Sequence, residues 1–81
     1  MIPSIILYTT IGCHLCEEAR ALISPLLANT NWLLKEIDIA EDDDLIARYG
    51  IRIPVLSIPA SGELDWPFTT QDIISRLDNA S

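Results

Sequence analysis

A chain of 81 residues, 49% of them hydrophobic, has the material for one small core and is expected to form a single domain over residues 1–81, near the size at which a core holds without staples. Its 12 acidic residues against 5 basic give a formal net charge of -7, which argues against nucleic acid, whose phosphates need clustered Lys and Arg, and against anionic membrane surfaces. No apolar run is long enough to span a bilayer, and Met1-Ile2-Pro3-Ser4 lacks the basic segment of a secretory leader, so a cytoplasmic monomer is expected.

The first element is a β-branched run, Ile5 to Tyr8, which breaks at Thr9 to Gly12 and delivers Cys13 and Cys16 to the threshold of a helix-period segment. A strand, a turn and two cysteines opening a helix make a redox site. A secreted chain of this size would normally carry four or more cysteines in a disulfide framework, and this one has 2. Residues three and four apart share a helix face. Leu15, Ala19, Leu22, Ile23 and Leu26 form an apolar stripe bordered by Cys16, whereas Cys13 lies over Glu17, Arg20 and Ser24. One sulfur is therefore expected to face water and the other to be sheltered. The outer one meets the unpaired N–H groups and positive dipole of the helix start, which favour a thiolate. Disulfide exchange needs an attacking thiolate, a nearby second thiol and access for a partner. Cys13 is the expected nucleophile and Cys16 the resolving thiol. Gly12 removes a side chain just before the nucleophile and accepts an unusual backbone angle, and His14, between the sulfurs, would favour the Cys13 thiolate when protonated. The helix should run to about Ala28, with Pro25 kinking or ending it.

Past the turn Asn29-Thr30-Asn31, residues 32–39 read as a second strand, parallel to the first through a right-handed crossover. Glu41-Asp42-Asp43-Asp44 precedes Leu45, Ile46 and Tyr49, with Arg48 and Gly50 behind. Acids at the positive end and a glycine stop spell a short helix rather than a calcium loop, whose ligand spacing is missing. Residues 51–58 form a third expected strand with Pro54 near its start. The turn Pro59-Ala60-Ser61-Gly62 suggests a hairpin into residues 63–66, and Thr69-Thr70-Gln71-Asp72 is a capping box for a last helix over Ile73, Ile74 and Leu77. The order is β-α-β-α-β-β-α, an α/β sandwich with helices covering a four-stranded sheet.

The chain resembles the glutaredoxins, on the thioredoxin fold. The resemblance rests on Cys13-His14-Leu15-Cys16 after a strand and on Ile53-Pro54-Val55 at the start of a later one, and Asp65-Trp66-Pro67-Phe68 before the last helix is similar to a branch of small bacterial glutaredoxin-like proteins. The resemblance implies a four-stranded mixed sheet with three helices, a thiol-disulfide oxidoreductase acting as electron donor or protein-disulfide reductant, and a cis bond before Pro54. It also implies that Ile53 and Pro54 offer a substrate chain a β-like docking edge. The expected partners are a protein or small-molecule disulfide and a reductant, either a reductase or glutathione, with no bound cofactor and no metal. For glutathione the chain departs from the family. Where glutaredoxins often place a lysine before the first cysteine it has Thr10, and Trp66-Pro67-Phe68-Thr69 replaces a Gly-Gly turn. Thr10, Arg52 and the N–H groups near Thr70 are the remaining candidates for its carboxylates. Two other readings stay open: a non-enzymatic binding module using Trp66, Phe68 and the Ile53 edge, and a metal or iron-sulfur carrier, for which two sulfurs and one histidine fall short of a four-ligand zinc site.

Overall fold

The computed structural model describes residues 3–28 and 30–80; Asn29 of the expected turn and the terminal residues Met1, Ile2 and Ser81 lie outside them. Strands β1 (Ser4–Thr9), β2 (Leu33–Asp38), β3 (Val55–Ile58) and β4 (Gly62–Asp65) form one sheet in the order β2-β1-β3-β4. β2 runs parallel to β1, with Ser4 opposite Leu33 and Thr9 opposite Asp38, while β3 is antiparallel to both β1 and β4. Helices α1 (His14–Leu27), α2 (Asp43–Tyr49) and α3 (Thr70–Ala80) complete the chain. This is the mixed four-stranded sheet with three helices that the sequence implies.

Alternation along β1 divides the interior into two clusters. Ile5 and Leu7 point to one face, where Leu56 and Ile58 of β3 join Ala19, Ile23 and Leu27 of α1 and Ile73 and Leu77 of α3. Tyr8 points to the other, where Ile39, Tyr49 and Val55 pack with Leu45 and Ile53. Helices α1 and α3 therefore cover one face and α2 the other. Each fully buried Ile or Leu contributes about 1.5–3 kcal/mol, so the larger cluster, under α1 and α3, supplies most of the apolar stabilisation.

Local signals set the helix ends. Asp42 accepts hydrogen bonds from the N–H groups of Asp44 and Leu45 at 2.9 and 3.2 Å, starting α2 where the acidic run predicts a helix. The Gly50 N–H closes its end on the Ile46 carbonyl at 2.8 Å. At α3, Asp72 N–H donates to Thr69 Oγ1 at 3.1 Å and Thr69 N–H to the Asp72 carboxylate at 2.9 Å, a complete capping box.

Two expectations are corrected. Leu15 is 46% exposed, and the buried positions of α1 are Cys16, Ala19, Ile23 and Leu27, because the sheet lies under that neighbouring line of the helix. Pro25, by contrast, sits in the last turn of α1, which ends at Leu27, close by the proline as expected. Residues 51–53 are not strand, since the N–H groups of Arg52 and Ile53 both donate to the Tyr49 carbonyl, at 2.8 and 3.0 Å, instead of entering the ladder. The Ile53–Pro54 and Trp66–Pro67 peptide bonds are both cis.

Candidate active site: a disulfide at a helix start

The C-terminal ends of β1 and β2 meet the start of α1 at one edge of the sheet. Thr9 faces Asp38 across the parallel pair, and one step beyond the Tyr8–Val55 match of β1 and β3 brings Pro54 level with Thr9 on the other side. The turn at Thr10 to Gly12 folds back over this edge. Gly12 takes a φ of 80°, which a side chain would resist, and the Cys13 N–H reaches the Thr10 carbonyl at 3.4 Å.

Cys13 is the N-cap of α1 and is bonded to Cys16, with their Cα atoms 5.2 Å apart. Cys13 Sγ accepts a hydrogen bond from the Cys16 N–H at 3.1 Å. Cys13 is partly exposed, whereas Cys16 is only 1% exposed and sits at the head of the buried line of α1. The sulfur that reaches solvent is thus the one held by the helix start. His14 is exposed, with Nδ1 3.7 Å from a Glu17 carboxylate oxygen.

Beside the disulfide lies a cleft of about 220 Å³ lined by Thr10, Gly12, Cys13, Glu17, Arg20 and Asp38, among others. Arg20 donates through Nε to Glu36 at 2.7 Å and approaches the same carboxylate through a terminal nitrogen at 2.5 Å. The hydrogen bond and the charge of Glu36 hold its guanidinium still more firmly protonated than usual. Asp38 Oδ1 accepts from the Ala40 N–H at 2.9 Å.

The expected site residues divide between this edge and other places. Cys13, Cys16, Gly12 and Thr10 come together, and Ile53 and Pro54 lie at the same sheet edge. Ile53 presents less backbone than expected, because its N–H is engaged by Tyr49. Arg52 is held by β4 instead, donating to Asp65 at 2.7 Å and Glu63 at 3.1 Å. Thr70 is the first residue of α3, at the start that the Asp72 carboxylate already closes.

The site residue that sequence reasoning did not assign is Asp38, which comes from another strand; a second unassigned polar group lies on the other face of the sheet, around Tyr49. The Tyr49 ring is buried, stacks on Tyr8 with centroids 4.1 Å apart, lies under Arg52 and donates its hydroxyl to Glu63 at 2.5 Å. Burial, and then the Glu63 carboxylate, push the phenol up to about 12. The same hydrogen bond, with help from Arg52 and against desolvation, lowers Glu63. The alternation of Glu63 and Asp65 along one strand was the available signal, but nothing local tied it to Arg52.

Among the described residues no group of three His, Cys, Asp or Glu side chains is placed to hold a metal ion, and no helix is long and apolar enough to cross a membrane. No curated protein matches the chain. The crystal structure of the structural-genomics target XcR50 from X. campestris superposes with a TM-score of 0.79 at 35% identity, over 95% of this chain and 99% of that one. Its solution structure gives the same score and identity, over 95% of each chain. Protein Ne2328 from Nitrosomonas europaea superposes at 0.75 with 31% identity, over 95% of this chain and 92% of that one. Residues 4–78 match the model of the glutaredoxin-like domain (DUF836); with the redox-type cysteine pair at the start of α1 and the thioredoxin-like sheet beneath it, the chain belongs to that glutaredoxin-like family.

Proposed function

We propose that the protein is a thiol-disulfide oxidoreductase that reduces disulfides of a protein or small molecule. In its reduced form the Cys13 thiolate attacks one sulfur of the substrate disulfide, forming a mixed disulfide and expelling the first substrate thiolate. The Cys16 thiolate then attacks Cys13 Sγ, releases the second substrate thiolate and leaves the Cys13–Cys16 disulfide. Two electrons pass to the substrate, and its two thiolates take protons from water. A dithiol reductase or two molecules of a thiol such as glutathione reverse the step on the enzyme.

The observation that carries this reading is the hydrogen bond from the Cys16 N–H to Cys13 Sγ at the N-cap of α1. A donor and a helix dipole aimed at one sulfur favour its thiolate both as attacking group and as leaving group. Burial of Cys16 supports the resolving role, since it keeps that thiol from outside disulfides while holding it beside Cys13. Gly12 keeps the approach to Cys13 open. His14 lends charge to the site when protonated, which Glu17 partly offsets at 3.7 Å. Pro54 and the Ile53 carbonyl form the edge against which the substrate chain rests, in a cytoplasmic protein acting as a monomer.

Mass spectrometry after mixing single-cysteine variants with a disulfide substrate tests the roles. Cys16→Ser should accumulate the mixed disulfide on Cys13, and Cys13→Ser should form none. The reverse pattern would overturn the assignment. No adduct on either would favour a binding module that uses the same fold without exchange.

A further inference from the structure

Resting on the oxidoreductase reading, we infer that the substrate is a polypeptide cysteine set in an apolar segment with a Lys or Arg beside it, and that Glu17 and Asp38 select that cation. The cleft next to Cys13, at about 220 Å³, has room for one long side chain. Its wall carries two carboxylates, Glu17 and Asp38, against a single cation, Arg20, which is itself paired with Glu36. A cationic side chain entering beside the substrate sulfur meets net negative charge at short range and a chain of net charge -7 at long range, which raises the encounter rate.

Ile11 is the large apolar side chain of the cleft wall, and others are exposed near the disulfide in the chain. Ile11 is 91% exposed two residues before Cys13, Leu15 is half-exposed two residues after it, and Ile51 is fully exposed in the loop leading to Pro54. Large apolar side chains left in solvent on both approaches to one disulfide suit a polypeptide surface that covers them. Backbone pairing at Ile53 is limited to its carbonyl, because its N–H is engaged, so side chains carry the discrimination. The same features disfavour glutathione, whose carboxylates would need a cation or a free helix start. Arg52 is held by Glu63 and Asp65, Arg20 by Glu36, and the start of α3 by Asp72.

The test uses three probes, each a cysteine joined by a disulfide to a chromophoric aryl thiol. One is an apolar peptide with Arg two residues from the cysteine, one is the same peptide with Glu, and one is glutathione. Attack by Cys13 of the reduced protein expels the aryl thiolate, whose absorbance gives the rate. The Arg peptide should react roughly tenfold faster than the Glu peptide at low salt, and the gap should close as salt screens it. Glu17→Lys combined with Asp38→Asn should abolish the preference. Equal rates, a faster glutathione probe, or a preference untouched by that double variant would each overturn the inference while leaving the oxidoreductase reading intact. Failure of all three probes to react would overturn both.

Discussion

At the start of α1 the N–H of Cys16 donates to Cys13 Sγ over 3.1 Å; at the start of α3 the N–H of Asp72 donates to Thr69 Oγ1 over the same 3.1 Å. Both use an N-cap side chain and the residue three positions on. They differ in how the second residue answers. Asp72 returns a carboxylate to the Thr69 N–H, which completes a closed exchange of hydrogen bonds, whereas Cys16 returns a sulfur to a sulfur. One start is closed by hydrogen bonds alone, the other by a covalent bond that a thiol can open. The geometry of a helix start is shared, and the residue type decides whether it is only a cap or also the proposed site of exchange.

The sharpest way to separate the two is to remove each pair. Changing Cys13 and Cys16 together to Ala should eliminate disulfide exchange entirely and leave a folded protein by circular dichroism. An exchange rate that survives would place the chemistry elsewhere.

A second perturbation, remote from both starts, measures how firmly the loop before Pro54 is fixed. Tyr49 is held above its ordinary value near 10, at about 12, so its contribution is complete below pH 10 and is lost as pH rises towards 12. The gap corresponds to roughly 2–3 kcal/mol. Denaturant melts from pH 9 to 12 should show that decline, and Tyr49→Phe should flatten it. An unchanged slope in the variant would remove Tyr49 as its source.

Reduction should cost about 2 kcal/mol or less in unfolding free energy, because the Cys13–Cys16 bridge closes a very short loop. Loss of cooperative unfolding on reduction would contradict this. Thr69→Ala should cost about 1 kcal/mol, as a lost cap does, with the exchange rate unchanged; a fall in rate would mean that the two starts are coupled. The smallest effect expected is at Thr10, where Thr10→Lys should tighten glutathione binding several-fold by titration, since one exposed cation is worth on the order of 1 kcal/mol. Tight glutathione binding by the natural sequence would show that other groups already serve.

Where residues close in sequence decide the outcome, the sequence was readable. The Asp42 start of α2, the box at Thr69 and Asp72, and the contrast between Cys13 and Cys16 all follow from spacings of two to four. Leu15 was not readable. A helix turns 100° per residue, so Leu15 and Cys16 lead equally plausible apolar lines through Ala19, and only the position of the sheet chooses between them. Residues 51–53 carry strand-forming side chains, yet the Tyr49 carbonyl takes the N–H groups a ladder would need. Arg52 looked available for a ligand because its partners, Glu63 and Asp65, lie across a hairpin that sequence separation hides.

The Tyr49 carbonyl that receives both Arg52 and Ile53 makes α2 a ruler for the loop that carries Pro54. Its span of 7 residues determines where that oxygen points and which way the ring stacked on Tyr8 faces. One added residue would advance the helix end by about 1.5 Å and rotate it by about 100°, carrying oxygen and ring away from the loop together. The length of a helix on the far face of the sheet is therefore a dimension of the proposed docking edge itself, and insertions there should be tolerated far less well than in the exposed turn at Pro59 and Ala60.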